Sequence, residues 1–485
     1  MRMIAGGKVG PRFRPEEGVG GGMAKFYGMM GDEKLLNLTL KPAATKLNGV
    51  LEVENPYVYS LLSERGGAIS FPHSGILGQS KEARDAKVRI NATIGTAVLD
   101  DGSPMRLQCV IDAIKNVLEK PADTFNYAPS QGRPDLRSAW KKLLLKKNPT
   151  LIGKAISNPV VTIALTHGGV IAGYMFANPG DEITVANKYW GNYGIMFENN
   201  FGAKLKPINT FKGEGMDLGA LRSALMSEGG KKIVLFNFPN NPTGYTPTVE
   251  EAHMIAAILK EAAEAGKRIV AIFDDAYFGL VYKPGVFTES VFALAADLHE
   301  NILAVKLDGA TKEDYAWGFR IGFITFAFKG MQSSGDVMNP KGAEVLEDKA
   351  AGAVRGSVSN ASNMFQAALA MAYTSPDYWA QKEEMGNILQ ERFETVEEVF
   401  EKHGERYSKY FVKLPTNSGY FMCVDLAQGL VANDIRKKLL QPEYSVGVIS
   451  DGTMLRTAFS ATPKAVIPEL FELMYKACEE VAGKK

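Results

Sequence analysis

Beyond residue 159 the chain alternates between short continuous apolar runs and longer stretches whose apolar residues recur every three or four positions. The runs at 160–165, 182–185, 232–236, 268–273 and 302–307 predict buried strands. The stretches at 169–176 and 250–265 predict helices. Strands that are apolar throughout belong to a mainly parallel sheet covered by helices on both faces. Upstream, 107–118 has helical spacing. Pro134 suits the first turn of a helix whose apolar face is Trp140, Leu143 and Leu144. After about 335 the texture changes. A helical region over 342–403 breaks near Ser359 and Pro376. Strand signals follow at 410–412 and 420–424, then a helix at 432–440, a strand at 454–459 and a closing helix at 466–481. Residues 1–90 carry scattered glycines and short apolar runs without clear chemistry.

Composition narrows the class. A chain of 485 residues is too long for one simple core. Its 46% hydrophobic and 22% charged residues are those of an ordinary soluble protein. With 55 basic against 54 acidic residues, no field of one sign draws it to nucleic acid or to an anionic membrane. No apolar run is long enough to span a bilayer. Cys109, Cys423 and Cys478 are scattered and odd in number, which fits neither a disulfide framework nor a metal cluster, so a cytoplasmic setting is expected. Residues 1–22 are rich in glycine and basic side chains and read as a flexible tail, with Met23 as an alternative start.

The chemistry gathers beyond strand ends, where ligands of parallel sheets bind. Gly168, Asn241, Asp274 and Lys312 all follow predicted strands. Lys312 stands in Gly309-Ala310-Thr311-Lys312, and eight residues later comes Arg320 in Gly318-Phe319-Arg320-Ile321-Gly322. Upstream lie Asn240-Asn241-Pro242-Thr243-Gly244 and Asp274-Asp275-Ala276-Tyr277. An amine, a guanidinium, a carboxylate, a phenol and an amide in this order can hold a cofactor with an aldehyde, a phosphate and a pyridine ring.

This set resembles the class I/II aminotransferases, over roughly residues 90–475. The resemblance implies an α/β fold. A large domain (121–335) carries a mainly parallel sheet of seven-stranded type covered by helices. A smaller α+β domain joins an N-terminal segment (23–120) to the C-terminal one (336–485). It implies pyridoxal 5′-phosphate as cofactor, in a Schiff base with Lys312. The freed Lys312 amine then moves the proton between substrate and cofactor. Arg320 and Thr311 would grip the phosphate, with the amides of Gly169 and Val170 in the His167-Gly168-Gly169-Val170 turn. Asp274 would face the pyridine nitrogen, Tyr277 and Asn241 the phenolic oxygen, and Trp190 the ring face. Arg456 would take the substrate carboxylate, with the backbone of Gly95 beside it. Tyr127 would reach the phosphate of a second subunit, which implies a homodimer with shared sites. Arg355, in Val354-Arg355-Gly356-Ser357, resembles the arginine that crosses from the second subunit to the distal carboxylate of aspartate or glutamate.

Some positions depart from the family. Gly309 stands where many members carry a serine, Tyr315 is bulkier than usual, Val170 replaces a hydroxyl residue, and Ser359-Asn360 lacks the two prolines that usually follow. The function implied is transamination between an L-amino acid, dicarboxylic or aromatic, and a 2-oxo acid such as 2-oxoglutarate. The same site could serve a β-lyase, since fold does not fix function. A cofactor-binding regulator is a remoter alternative, because residues 1–90 show no helix-turn-helix pattern.

Overall fold

The computed structural model describes residues 40–73, 75–336 and 338–483. The expected tail at 1–22 and the alternative start at Met23 lie outside the described residues.

Seven strands form the central sheet: β1 (Val160–Thr162), β2 (Glu182–Ala186), β3 (Lys204–Ile208), β4 (Lys231–Asn237), β5 (Arg268–Asp274), β6 (Ile302–Asp308) and β7 (Gly322–Phe328). Their order is β1-β7-β6-β5-β4-β2-β3. β7 runs antiparallel to β1 and β6, and the remaining pairs are parallel. The strands from β4 to β7 are buried along nearly their whole length because helices cover both faces. Strands β3 and β7 were not singled out from the sequence. β3 is an edge strand with exposed lysines, whereas β7 is an apolar run like the other inner strands.

Four helices matter for the site: α1 (Pro134–Lys147), α2 (Ala164–Phe176), α3 (Gly342–Ser357) and α4 (Asn363–Ala372). A fifth, α5 (Tyr378–Tyr407), is the longest among the described residues. The breaks expected near Ser359 and Pro376 are the two gaps between α3, α4 and α5.

A second sheet has four antiparallel strands, β8 (Phe411–Lys413), β9 (Phe421–Leu426), β10 (Ile449–Asp451) and β11 (Met454–Ala458), in the order β8-β9-β11-β10. Here the N-terminal part of the chain joins the C-terminal part. Ile90–Asn91 pairs in parallel with Val446–Gly447. Ile90 and Ala92 share a core with Phe393, Val424, Leu455 and Phe471. Residues 40–89, unreadable in the sequence, hold four short helices, Pro42–Glu54, Pro56–Ser60, Glu64–Ala68 and Ile76–Asp85. No helix among the described residues is long and apolar enough to cross a membrane.

Candidate active site

The carboxyl ends of β4, β5 and β6 converge on one cleft of about 400 Å³. It is lined by Ala164, Leu165, Thr166, Trp190, Tyr193, Asn237, Asn241, Asp274, Ala276, Tyr277, Thr311, Lys312 and Arg320. Seven of the residues singled out from the sequence therefore meet in one place: Lys312, Asp274, Tyr277, Asn241, Thr311, Arg320 and Trp190.

Lys312 sits in the short helix Ala310–Glu313 that follows β6. Burial pushes its amine down to about 8, against the opposing pull of Asp274, while Arg320 adds to the lowering. The amine lies 5.2 Å from the centroid of the Tyr277 ring. Tyr420 Oη donates to the Lys312 carbonyl at 2.9 Å. Gly309, which opens this helix, has no room for a side chain. A Cβ there would lie 2.6 Å from Gly322 Cα and 2.7 Å from the Ile321 carbonyl. With this backbone, a serine at 309 would require the Ile321–Gly322 main chain to shift.

Asp274 ends β5 and is buried. Burial lifts its carboxyl to about 6, although the Tyr193 hydrogen bond and the Lys312 charge both oppose this. Tyr193 Oη donates to Asp274 Oδ2 at 2.6 Å, and the Ala276 amide donates to Oδ1 at 3.2 Å. Asn237, opposite Asp274 in the parallel ladder, donates from Nδ2 to the Asp274 carbonyl at 2.8 Å. Its Oδ1 accepts from the Asn241 amide at 2.7 Å. Neither Tyr193 nor Asn237 was singled out from the sequence. Tyr193 had a weak signal, three residues after Trp190 in the same segment. Asn237 had none until the strand register was known.

The amides assigned to the helix start need correction. β1 ends at Thr162 and α2 opens at Ala164, so 160–165 is not all strand and His167-Gly168-Gly169-Val170 lies inside the helix. Gly169 and Val170 therefore do not offer free N–H groups. The open first turn is Ala164, Leu165 and Thr166, and these three line the cleft. The Ile163 amide donates to His167 Nδ1 at 3.0 Å, which caps the helix. The glycines have a packing reason instead. A Cβ at Gly169 would meet Met196 at 2.0 Å, and one at Gly173 would meet Phe201 at 2.5 Å. Both let the chain from 194 to 201 lie against α2.

Arg456 is central to β11 and only 4% exposed. Burial lowers its pKa. Nη1 donates to Asn241 Oδ1 at 3.4 Å and Nη2 to the Thr93 carbonyl at 3.1 Å, while its guanidinium lies 4.1 Å from the Phe421 ring centroid. Arg456 Nε and Thr311 Oγ1 are buried without a hydrogen-bond partner among the described residues. Arg320 has a left-handed backbone (φ 55°) and only a 3.4 Å bond to the Trp317 carbonyl. The cleft thus has Arg320 and the unpartnered Thr311 hydroxyl on its lining with the first turn of α2, and Arg456, with its Nε unpartnered, bonded to the lining residue Asn241. That donor set suits a phosphorylated ring and an acidic substrate group.

Besides Gly169, Val170 and Arg456, which do not line the cleft, three further expected residues lie away from it. Tyr127 is 91% exposed. Gly95 is exposed, with open space around it. Arg355 lies in the last turn of α3, exposed, and Nη1 donates to Ser359 Oγ at 2.6 Å.

The sequence profile described as "Aminotransferase class I and II" matches residues 90–472. A probable N-acetyl-LL-diaminopimelate aminotransferase of Bacillus subtilis is 28% identical over 201 residues, 41% of this chain and 47% of that protein. A cytoplasmic aspartate aminotransferase of Dictyostelium discoideum is 24% identical over 245 residues, 49% of this chain and 53% of that protein. The chain thus spans about half the length of these curated relatives. Among solved structures, an aminotransferase from Anaerococcus prevotii superposes with a TM-score of 0.73 at 22% identity, covering 86% of this chain and 99% of that one.

Proposed function

The chain belongs to the aminotransferase class I and II family, and from that premise we propose that it is a pyridoxal-phosphate-dependent transaminase. It would move an amino group from a dicarboxylic or aromatic L-amino acid to a 2-oxo acid such as 2-oxoglutarate. The observation that carries this reading is one cleft lined by a buried amine, a buried carboxylate and a guanidinium, namely Lys312, Asp274 and Arg320, with the buried Arg456 bonded to its lining residue Asn241.

When bound, pyridoxal phosphate supplies an aldehyde carbon and an electron-withdrawing ring. The residues provide the rest. The Leu165 and Thr166 amides, Thr311 and Arg320 bind the phosphate. Asp274, held by Tyr193 and by the Ala276 amide, keeps a proton on the ring nitrogen. Asn241 and Tyr277 hold the phenolic oxygen, and Trp190 covers the ring face. Lys312 carries the proton to and from the substrate α-carbon. Arg456 binds the α-carboxylate as a fork, and holding that group in place disfavours its loss.

In this reading 121–335 carries the cofactor, and the described residues of the N-terminal segment contribute with 336–483 to the small domain and the cleft. Tyr127 and Arg355 act on the site of a second copy of the chain, which accounts for their exposure here. Arg355 then favours aspartate or glutamate, in keeping with the names of several relatives. Relatives are named both cytoplasmic and mitochondrial, and the three free, buried thiols favour a reducing setting such as the cytoplasm.

The test is a half-reaction screen. The purified chain is loaded with pyridoxal phosphate, and the absorbance of the bound cofactor is followed as each amino acid is added. Aspartate or glutamate should convert it and release the matching 2-oxo acid, and Lys312→Ala should abolish turnover. Release of pyruvate and ammonia from a single substrate would make the protein a lyase instead.

A further inference from the structure

Directly behind Lys312 lies a buried set of charges that the proposed reaction leaves without a task. Glu313 and Asp314 follow Lys312 and are each 1% exposed. Glu313 Oε1 accepts from Lys382 Nζ at 2.8 Å and also pairs with Lys147. Asp314 Oδ1 accepts from Tyr378 Oη at 2.6 Å and from Lys382 Nζ at 3.3 Å. Asp314 Oδ2 accepts from Tyr373 Oη at 2.8 Å. The two carboxylates are therefore tied to three helices. Lys147 ends α1, Tyr373 caps α4, and Tyr378 and Lys382 begin α5.

The set continues beneath β6. Lys306 pairs with Asp275 and lies 3.6 Å from Asp308. Asp308 Oδ1 accepts from Trp140 Nε1 at 3.0 Å. Asp275 follows Asp274 in the chain just as Glu313 follows Lys312. Each reactive residue thus has an immediate neighbour sunk in the same ionic system. Buried ion pairs stabilise a fold poorly compared with apolar packing, so their presence here calls for a positional reason. Pairing in a low dielectric resists displacement steeply, because any lengthening leaves a charge unsolvated.

We propose that Glu313 and Asp314, clamped by Lys147, Lys382, Tyr373 and Tyr378, are positioning residues that hold the Lys312 main chain so that its amine stays in the desolvated floor of the cleft facing Asp274. The proposal rests on the transaminase reading of Lys312. The charged groups facing the amine are Asp274 and Arg320. Those facing the pair of carboxylates are Lys147 and Lys382, with Asp308 and Lys306 beyond Glu313. Releasing the clamp lets the amine gain water, which favours its charged form.

The experiment uses the full chain without cofactor. Lys312 is acetylated with trace acetic anhydride across pH, and its modification is read by peptide mass. The wild-type rate should rise with a midpoint near pH 8. In Lys382→Met and Tyr378→Phe the midpoint should move up by about one pH unit with unchanged circular dichroism. A folded Tyr378→Phe with the wild-type midpoint overturns the proposal, even where Lys382→Met fails to fold. A separate arm adds pyridoxal phosphate and borohydride to the wild type. Absence of a fixed adduct on Lys312 would sink the transaminase reading instead.

Discussion

A lysine amine attacks an aldehyde only after losing its proton, and at Lys312 burial in the cleft floor does most of that work. Uptake of pyridoxal phosphate by the cofactor-free chain should therefore speed up from pH 7 to 9, with a midpoint near 8. A stopped-flow absorbance series checks this; a midpoint above 10 would mean that the amine is solvated. Asp274 titrates the other way. Burial raises its carboxyl to about 6, and the Tyr193 hydrogen bond holds it from rising further. Tyr193→Phe removes the bond that favours the charged form, so the acid limb of cofactor affinity should shift to higher pH. An equilibrium titration of that limb decides it, and a downward shift would refute the role given to Tyr193. At this scale much was legible beforehand. That Lys312, Asp274, Tyr277 and Asn241 would meet in one place was readable from the motifs that carry the family resemblance, each just beyond a strand end. Tyr193 was not, because its bond to Asp274 joins residues 81 positions apart.

Among the elements, the Asn240–Gly244 turn couples the two sheets. Gly244 has φ +72°, and a Cβ there would lie 2.1 Å from the Phe421 carbonyl. The Asn417 and Ser418 amides both donate to the Gly244 carbonyl, at 2.9 and 2.8 Å. The turn carries Asn241, which touches Arg456 of β11. Gly244→Ala combines a strained left-handed backbone with a main-chain clash. It should lower Tm by roughly 5 °C or more and weaken substrate affinity along with it. Differential scanning calorimetry on the loaded protein tests this, and an unchanged Tm would mean that the turn does not join the sheets. The helices and inner strands were legible because their apolar periods are long and uninterrupted. The start of α2 was misplaced by five residues because the apolar run 160–165 continues across the strand end, and only the left-handed backbone of Ala164 (φ 55°) turns the chain into the helix there.

At the scale of the whole molecule the question is what a second copy supplies. Tyr127 and Arg355 are exposed and far from satisfying the cleft of their own chain. If Arg355 serves the neighbouring site, mixing Lys312→Ala and Arg355→Ala chains should restore about a quarter of the sites, since half the dimers are mixed and each has one intact site. Aspartate turnover after refolding the mixture measures this, and no recovery would place Arg355 outside the partner's site. By itself the sequence determined the order of the chemical groups, because each is fixed by covalent spacing to the end of a strand or turn, and through the resemblance that order carries it pointed to the aminotransferase family. The tertiary structure alone decided which helix amides are free, what orients Asp274, and that Glu313 and Asp314 lie buried among lysines and tyrosines. Those features depend on contacts between segments distant along the chain, and no local pattern of polar and apolar residues encodes them.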